Sequence, residues 1–295
     1  IAVPLTLPLP MARAEEYSRP HRPDDVHSII YTSGTTGRPK GAMLTYGNFA
    51  ASAAASAANL GVTPADRWLA CMPLFHVGGL SIVLRSAIYG TSVVLHSGFD
   101  ERTVVEDLYR QPITHVSVVA SMLQRMLDAD ERPSPPSLRV VLAGGGPVPV
   151  TLLERALSRG FPVIQTYGLT EACSQVATLA PSDAASHIGS AGKPLSGTQL
   201  RIDAPLGEAG EILVSGPTIS PGYYGNPDAT RSAIHDGWLR TGDVGRLDED
   251  GFLFVLDRRD DLIVSGGENV YPAEVEEFLH GHPGISEAAV VGLPD

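Results

Sequence analysis

Six apolar runs, at 26–31, 68–72, 92–96, 115–119, 139–143 and 162–166, alternate with stretches of helical spacing at 45–60, 79–89, 101–110, 120–129 and 149–159. Short apolar runs of this kind read as strands buried on both faces. Strands separated by a helix's length of chain pair in parallel, with the helices covering the sheet. The pattern predicts an α/β fold of layered sheets. Around 197–256 it changes to short strands and tight turns, with Asp248-Glu249-Asp250-Gly251 between Val244–Leu247 and Phe252–Leu256. That stretch predicts a small β subdomain closing one end of the α/β body. Residues 1–25, rich in Pro, Arg and acidic side chains, predict an irregular lead-in.

The 295 residues suffice for one large domain or two, at roughly 100–200 residues each. A formal net charge of −12 leaves no basic surface for DNA, RNA or acidic lipid. The alanine-rich segment Ala50–Ala58 is too short to span a bilayer and reads as a close-packed helix. The opening residues, broken by prolines and lacking a basic region, do not form a signal peptide, so a cytoplasmic protein without a membrane span is expected. Cys71 and Cys173 show neither metal nor redox spacing and are expected to pack in the interior. Of the 21 basic residues only Lys40 and Lys193 are lysines, both expected in Gly/Pro-containing loops. Abundant arginine and alanine suggest a codon bias, under which a retained lysine carries more information.

Tyr31-Thr32-Ser33-Gly34-Thr35-Thr36-Gly37-Arg38-Pro39-Lys40-Gly41 follows the first apolar run directly. Glycines let the backbone approach an anion and aim N–H groups at it. The hydroxyls of Thr32, Ser33, Thr35 and Thr36 add donors, and Lys40 supplies charge. This is a phosphate cradle, though not a Walker P-loop, because no Gly-Lys-[Ser/Thr] tail follows at the required spacing. A flexible linker would not be entered from a buried strand and left by a helix near Thr45, which is the arrangement expected here.

The loop resembles the signature of the adenylate-forming enzymes, a superfamily that includes the acyl- and aryl-CoA ligases. Met72-Pro73-Leu74-Phe75-His76, Gly144-Gly145-Gly146-Pro147, Tyr167-Gly168-Leu169-Thr170-Glu171, Thr241-Gly242-Asp243 and Asp257-Arg258-Arg259-Asp260-Asp261 follow in the family's order, the last running into Gly266-Gly267-Glu268-Asn269. The resemblance implies ATP, Mg²⁺ and coenzyme A. The hydroxyl loop and Lys40 would face the β,γ-phosphates, and Thr170 the α-phosphate. Glu171 would hold Mg²⁺, for which a carboxylate with waters and phosphate oxygens is a suitable oxygen set. Asp243 and Arg258 would meet the ribose, and Gly144, Gly145 and Gly146 would pass against the adenine ring. Tyr167 would stack on that ring, although core packing suits it nearly as well. His76 would gate the passage between acyl site and thiol entrance.

The resemblance also implies a large adenylation domain over residues 1–260 and a small, mobile C-terminal α+β domain beginning at 261–295, with Asp260 as the hinge. That small domain is expected to offer a strand near 262–264, a helix opened by Pro272 and a strand around Ala288–Val291. The family's C-terminal lysine has no counterpart after Lys193, and part of the first subdomain is expected before Ile1. The chain is therefore expected to be a fragment, a truncated product or a crippled enzyme.

Within the family, Phe75–Ile82, Arg85–Gly90, Ser117–Val119, Met122–Met126 and Gln165–Gly168 resemble the o-succinylbenzoate–CoA ligases of menaquinone biosynthesis. A medium-chain acyl- or benzoate-type ligase is the runner-up. A non-catalytic nucleotide-binding protein is the alternative from another class. An o-succinylbenzoate ligase must hold a second, unreacted carboxylate, for which Arg85 with Ser117 is the candidate pair. The competing reading of Arg85 is a helix-flank arginine extending past apolar neighbours. Oligomeric state is open, with a homodimer one option.

Overall fold

The computed structural model describes residues 20–32, 39–258, 263–265, 268–270 and 272–280, together with 282, 284, 285 and 288–293. Ser33, Thr35, Thr36 and Asp260 lie outside the described residues, as does the side chain of Arg258. The chain opens with a hairpin of β1 (Val26–Thr32) and β2 (Lys40–Thr45) and continues into α1 (Tyr46–Leu60). It then alternates β3 (Arg67–Ala70), α2 (Val77–Tyr89), β4 (Ser92–Leu95), α3 (Glu101–Arg110), β5 (His115–Val118), α4 (Ala120–Ala129), β6 (Val140–Ala143), α5 (Val150–Ser158) and β7 (Val163–Leu169).

Strands β8 (Ser174–Thr178) and β9 (Lys193–Pro194) complete a seven-stranded sheet of order β4-β3-β5-β6-β7-β8-β9. Pairing is parallel from β4 to β7 and antiparallel across β7, β8 and β9. Period-two alternation decides which residue enters which layer. Leu69, Val116, Val118, Val141, Ala143 and Val163 pack with Val104 and Leu108 of α3, Leu123 and Met126 of α4 and Leu152 of α5. Trp68, Ala70, Val140, Leu142 and Ile164 pack on the other face with Leu60 of α1 and Ile82 of α2. Each fully buried aliphatic side chain contributes about 1.5–3 kcal/mol, enough to specify both layers.

Strands β10 (Gln199–Ile202), β11 (Gly210–Ser215), β12 (Ile234–His235), β13 (Trp238–Leu247) and β14 (Leu253–Arg258) form the expected antiparallel subdomain, with α6 (Pro227–Ala233) preceding β12. Strands β15 (Ile263–Ser265) and β16 (Glu268–Val270) pair as a hairpin, and α7 (Pro272–His280) begins at the predicted proline. The strand expected around Ala288–Val291 is not formed. These residues pair with no strand among the described residues, and Val290 N donates instead to Glu276 Oε1 at 2.9 Å.

Three local expectations change. The phosphate loop does not pass from strand to helix, because β2 intervenes and pairs antiparallel with β1, Thr32 opposite Lys40. Nor is β1 a buried strand, since only Ile30 along it is buried. Lys40 and Lys193 accordingly sit at the starts of short strands rather than in loops. Helix α1 does begin at the predicted Thr45. Thr45 and Asn48 cap each other reciprocally at 3.0 Å, and Asn48 Nδ2 also donates to the Pro217 and Ile219 carbonyls. A local helix start thereby also ties α1 to the chain beyond β11.

Candidate active site

In a parallel sheet the strand ends that open onto loops on one edge gather residues from distant parts of the sequence. Met72–His76 leaves the C-terminal end of β3, Gly144–Gly146 that of β6, and Thr170–Glu171 that of β7. The β1–β2 hairpin joins them through direct contacts. Thr32 Oγ1 lies 3.4 Å from both the Lys40 carbonyl and Glu171 Oε1. Tyr223 donates its hydroxyl to the same Glu171 oxygen at 2.8 Å, and Lys40 Nζ stands 5.5 Å from the centre of the Tyr223 ring. Burial, reinforced by the Glu171 carboxylate, pushes the Tyr223 hydroxyl well above its ordinary range, so it stays a donor.

Thr170 and Glu171 are presented by a single 3-10 turn, Thr170–Ala172. The turn is tight because Cys173 and Ser174 have φ of 52° and 89°, values uncommon for residues with side chains. Gly168 permits it, since a Cβ there would come 1.7 Å from the Ser174 carbonyl oxygen. Behind the turn, Ser52 Oγ donates to the Cys173 carbonyl at 2.8 Å and accepts from Arg85 Nη2 at 2.9 Å.

Asp243 does not sit in a turn, as its Gly-Asp context suggests. The Thr241-Gly242-Asp243 block forms a bulge inside β13, where the register to β11 slips between Glu211 and Leu213 and Gly242 takes φ of 75°. Bulges re-aim side chains beside functional sites. Here the bulge directs Asp243 to Tyr167, whose hydroxyl donates to Asp243 Oδ2 at 2.6 Å. The Tyr167 ring is 9% exposed and packed among Val176, Ile212 and Val214. Through its hydroxyl it acts as a strut for Asp243. Arg258 is paired in register with Asp243.

Gly144 packs against Thr166, whereas Gly145 and Gly146 are exposed at the sheet edge, Gly145 with φ of 82°. His76 is exposed at the start of α2, its ring 4.5 Å from that of Phe75. The pairing of Arg85 with Ser117 is not formed. Arg85 is 3% exposed and bonded to Ser52, while Ser117 Oγ accepts from Trp68 Nε1 at 3.1 Å. Arg85 also lies nine residues along α2 from His76, about 13 Å at the helical rise. Nor is it the solvent-reaching arginine of the competing reading. Burial lowers the pKa of its guanidinium from the ordinary value, and Nε makes no hydrogen bond among the described residues. Both cysteines are buried, with thiols pushed up to about 11 for Cys71 and about 12 for Cys173, which leaves neither as a nucleophile.

A magnesium ion fits the residues present. Glu171 offers a half-buried carboxylate whose Oε1 is held by neutral hydroxyls and whose Oε2 carries no hydrogen bond among the described residues. Hard cations take such oxygens together with water and phosphate. No cluster of three or more His, Cys, Asp or Glu that could form a protein-only metal cage occurs among the described residues.

The AMP-binding enzyme family matches residues 5–224. The chain belongs to that family. It is 52% identical over 278 residues to the 2-succinylbenzoate–CoA ligase of Bacillus velezensis, covering 92% of this chain and 57% of that protein. The o-succinylbenzoate coenzyme A synthetase of Bacillus subtilis, solved with the acyl-adenylate intermediate OSB-AMP, superposes with a TM-score of 0.89 at 48% identity. That match covers 93% of this chain and 58% of the other. The same synthetase solved with ATP and magnesium ion gives 0.88 at 48% identity, over 93% of this chain and 59% of that one. The chain thus spans under two thirds of the length of these relatives. Among the described residues no helix is long and apolar enough to cross a membrane.

Tyr223 escapes sequence reasoning. It sits in Ser220-Pro221-Gly222-Tyr223-Tyr224, which reads as a plain turn, and an aromatic pair after Pro-Gly is the faint signal available.

Proposed function

We propose that the protein is an AMP-forming acid–CoA ligase whose acid is o-succinylbenzoate. The observation that carries the reading is the convergence of Thr32, Lys40 and Glu171 beside Thr170 at the sheet edge, in a chain about half identical to ligases named for that acid. In the first half-reaction a carboxylate oxygen bonds to the α-phosphorus of ATP and the bond to pyrophosphate breaks. In the second, the coenzyme A sulfur bonds to the acyl carbon and AMP leaves. A carboxylate is a weak nucleophile, so positioning and neutralisation of phosphate charge do most to lower the barrier. Lys40 supplies positive charge to the β,γ-phosphates, Thr170 donates to the α-phosphate, and Asp243, held by Tyr167, accepts from the ribose hydroxyls. Glu171 would hold Mg²⁺, which neutralises phosphate charge when bound. His76 would gate the passage between the acyl site and the thiol entrance.

A domain boundary at 260/261 with Asp260 as hinge belongs to the same reading, because two half-reactions sharing one site need two poses of the small domain. A cytoplasmic location also goes with it.

The decisive assay is acid-dependent pyrophosphate exchange, followed by thioester formation, in a polypeptide spanning the full length of the relatives. O-succinylbenzoate is expected to be preferred over benzoate and octanoate. Preference for either of those moves the protein to another CoA ligase, and ATP binding without exchange makes it a non-catalytic nucleotide binder. Asp260→Pro is expected to slow thioester formation while adenylation stays measurable. Equal loss in both halves would make that position a plain turn.

A further inference from the structure

Segment 220–224 runs beside β2 as a short added strand. Met43 N donates to the Gly222 carbonyl at 3.0 Å, Tyr224 N donates to the Gly41 carbonyl at 2.8 Å, and Ala42 and Tyr223 form an antiparallel bridge. The segment is anchored on both sides. Ser220 N donates to the Glu171 carbonyl at 2.8 Å and Ser220 Oγ to the Met43 carbonyl at 2.7 Å, while Tyr223 N donates to Thr230 Oγ1 of α6 at 2.9 Å. This register places the Tyr223 hydroxyl on Glu171 Oε1 and its ring against Lys40.

We infer that Tyr223 is a positioning residue of the nucleotide site, holding the Glu171 carboxylate and the Lys40 ammonium in place while keeping them from pairing with each other. The inference rests on the assignment of Glu171 and Lys40 to metal and phosphates. A lysine and a glutamate brought together in a half-buried cleft would satisfy each other, and every incoming nucleotide would first have to break that pair. No ion pair between Lys40 and Glu171 exists among the described residues. Each instead contacts a different part of one tyrosine, which carries no charge to be displaced. The hydroxyl on Oε1 sets the orientation of the carboxylate and leaves Oε2, which carries no hydrogen bond among the described residues, for the metal, as outer groups do for metal-ligating carboxylates. Because the backbone of the tyrosine is pinned to both β2 and α6, these constraints are present before nucleotide arrives.

The test compares Tyr223→Phe, Tyr223→Leu and Glu171→Gln in a polypeptide spanning the relatives' length. Calorimetry measures ATP affinity without magnesium, and the magnesium concentration that gives half its full effect on that affinity. Tyr223→Phe keeps the ring and is expected to raise the magnesium requirement about tenfold, with magnesium-free affinity unchanged. Tyr223→Leu is expected to do the same and also to weaken magnesium-free ATP binding about threefold, through loss of the ring against Lys40. Glu171→Gln is expected to abolish the magnesium response. Wild-type behaviour of Tyr223→Phe beside a Glu171→Gln that loses the response overturns the inference and leaves the nucleotide site standing. A Glu171→Gln with an undiminished response overturns both. The nearly isosteric Phe variant keeps the test valid if the Leu variant does not fold.

Discussion

Lys40 and Arg85 are each linked to the short turn Thr170–Ser174 through one intermediary, Tyr223 for the first and Ser52 for the second. Lys40 is half-buried, set against the Tyr223 ring with Glu171 beyond it. Arg85 is fully enclosed, has no ion pair among the described residues, and reaches the turn only through Ser52 and the Cys173 carbonyl. A cation that keeps part of its hydration can exchange water for phosphate at small cost. One already stripped of water and bonded to Ser52 of α1 gives the fold a brace and a ligand nothing. Both residues bear a positive charge, and only the first keeps contact with solvent. The second is tied through Ser52 to the backbone of the turn.

Substitutions on the open side should remove activity and spare stability. Lys40→Ala and Glu171→Gln should each lower adenylate formation about 100-fold, the scale of losing one preorganised electrostatic contact. The melting temperature should hardly move. Unaltered pyrophosphate exchange in both variants would falsify the separation outright.

Enclosed polar groups should instead govern stability, and His115 extends that layer. It lines a small cavity with Ser56 and Tyr89 of the two helices, and its ring stacks on Trp68 at 4.9 Å. Burial lowers its pKa to about 4, Arg139 adding to the effect and Asp66 opposing it. The folded protein therefore keeps His115 neutral where the unfolded chain, titrating near 6.5, takes up a proton. Stability is full above pH 6.5 and falls on acidification toward pH 4, by at most about 1.4 kcal/mol per pH unit. His115→Gln should flatten that slope in denaturation curves taken across the window. A slope that survives the substitution would assign it to other groups.

Ser52→Ala removes the link between Arg85 and the turn and leaves the guanidinium with fewer partners. It should destabilise the protein by about 1–3 kcal/mol, seen in urea unfolding, with the KM for ATP nearly constant. A large rise in that KM with stability intact would place the brace inside the chemistry.

Arg85→Leu is expected to have the smallest effect, because exchanging a buried charge for an apolar side chain is often near neutral for stability. It also separates the sequence reading from the structural one most sharply. If Arg85 anchored the second carboxylate of o-succinylbenzoate, the KM for that acid would rise about tenfold, or ~1.4 kcal/mol. The enclosure of Arg85 predicts no such rise.

The strands and helices of the α/β body were legible because their signals are local. Short continuous apolar runs marked the strands from Trp68 to Ile164, Thr45 marked the start of α1, and Pro272 that of α7. Strand β2 was not legible. Lys-Gly-Ala-Met-Leu-Thr is short and carries a glycine, and besides β1 it is held by the distant chain near residue 222. The same limit hid the bulge at Gly242, which exists only because β11 supplies fewer residues opposite it.

By itself the sequence determined the fold class, the order of the motif blocks and the placing of one lysine after a run of glycines and hydroxyl residues, since each depends on residues close together in the chain. Only the tertiary structure decided that Lys40 meets Tyr223 while Arg85 meets Ser52, that Tyr167 braces Asp243, and that Glu171 carries the hydroxyl of a tyrosine 52 positions away. Which charge stays wet and which is enclosed depends on how separate elements dock, and spacing along one chain does not record that.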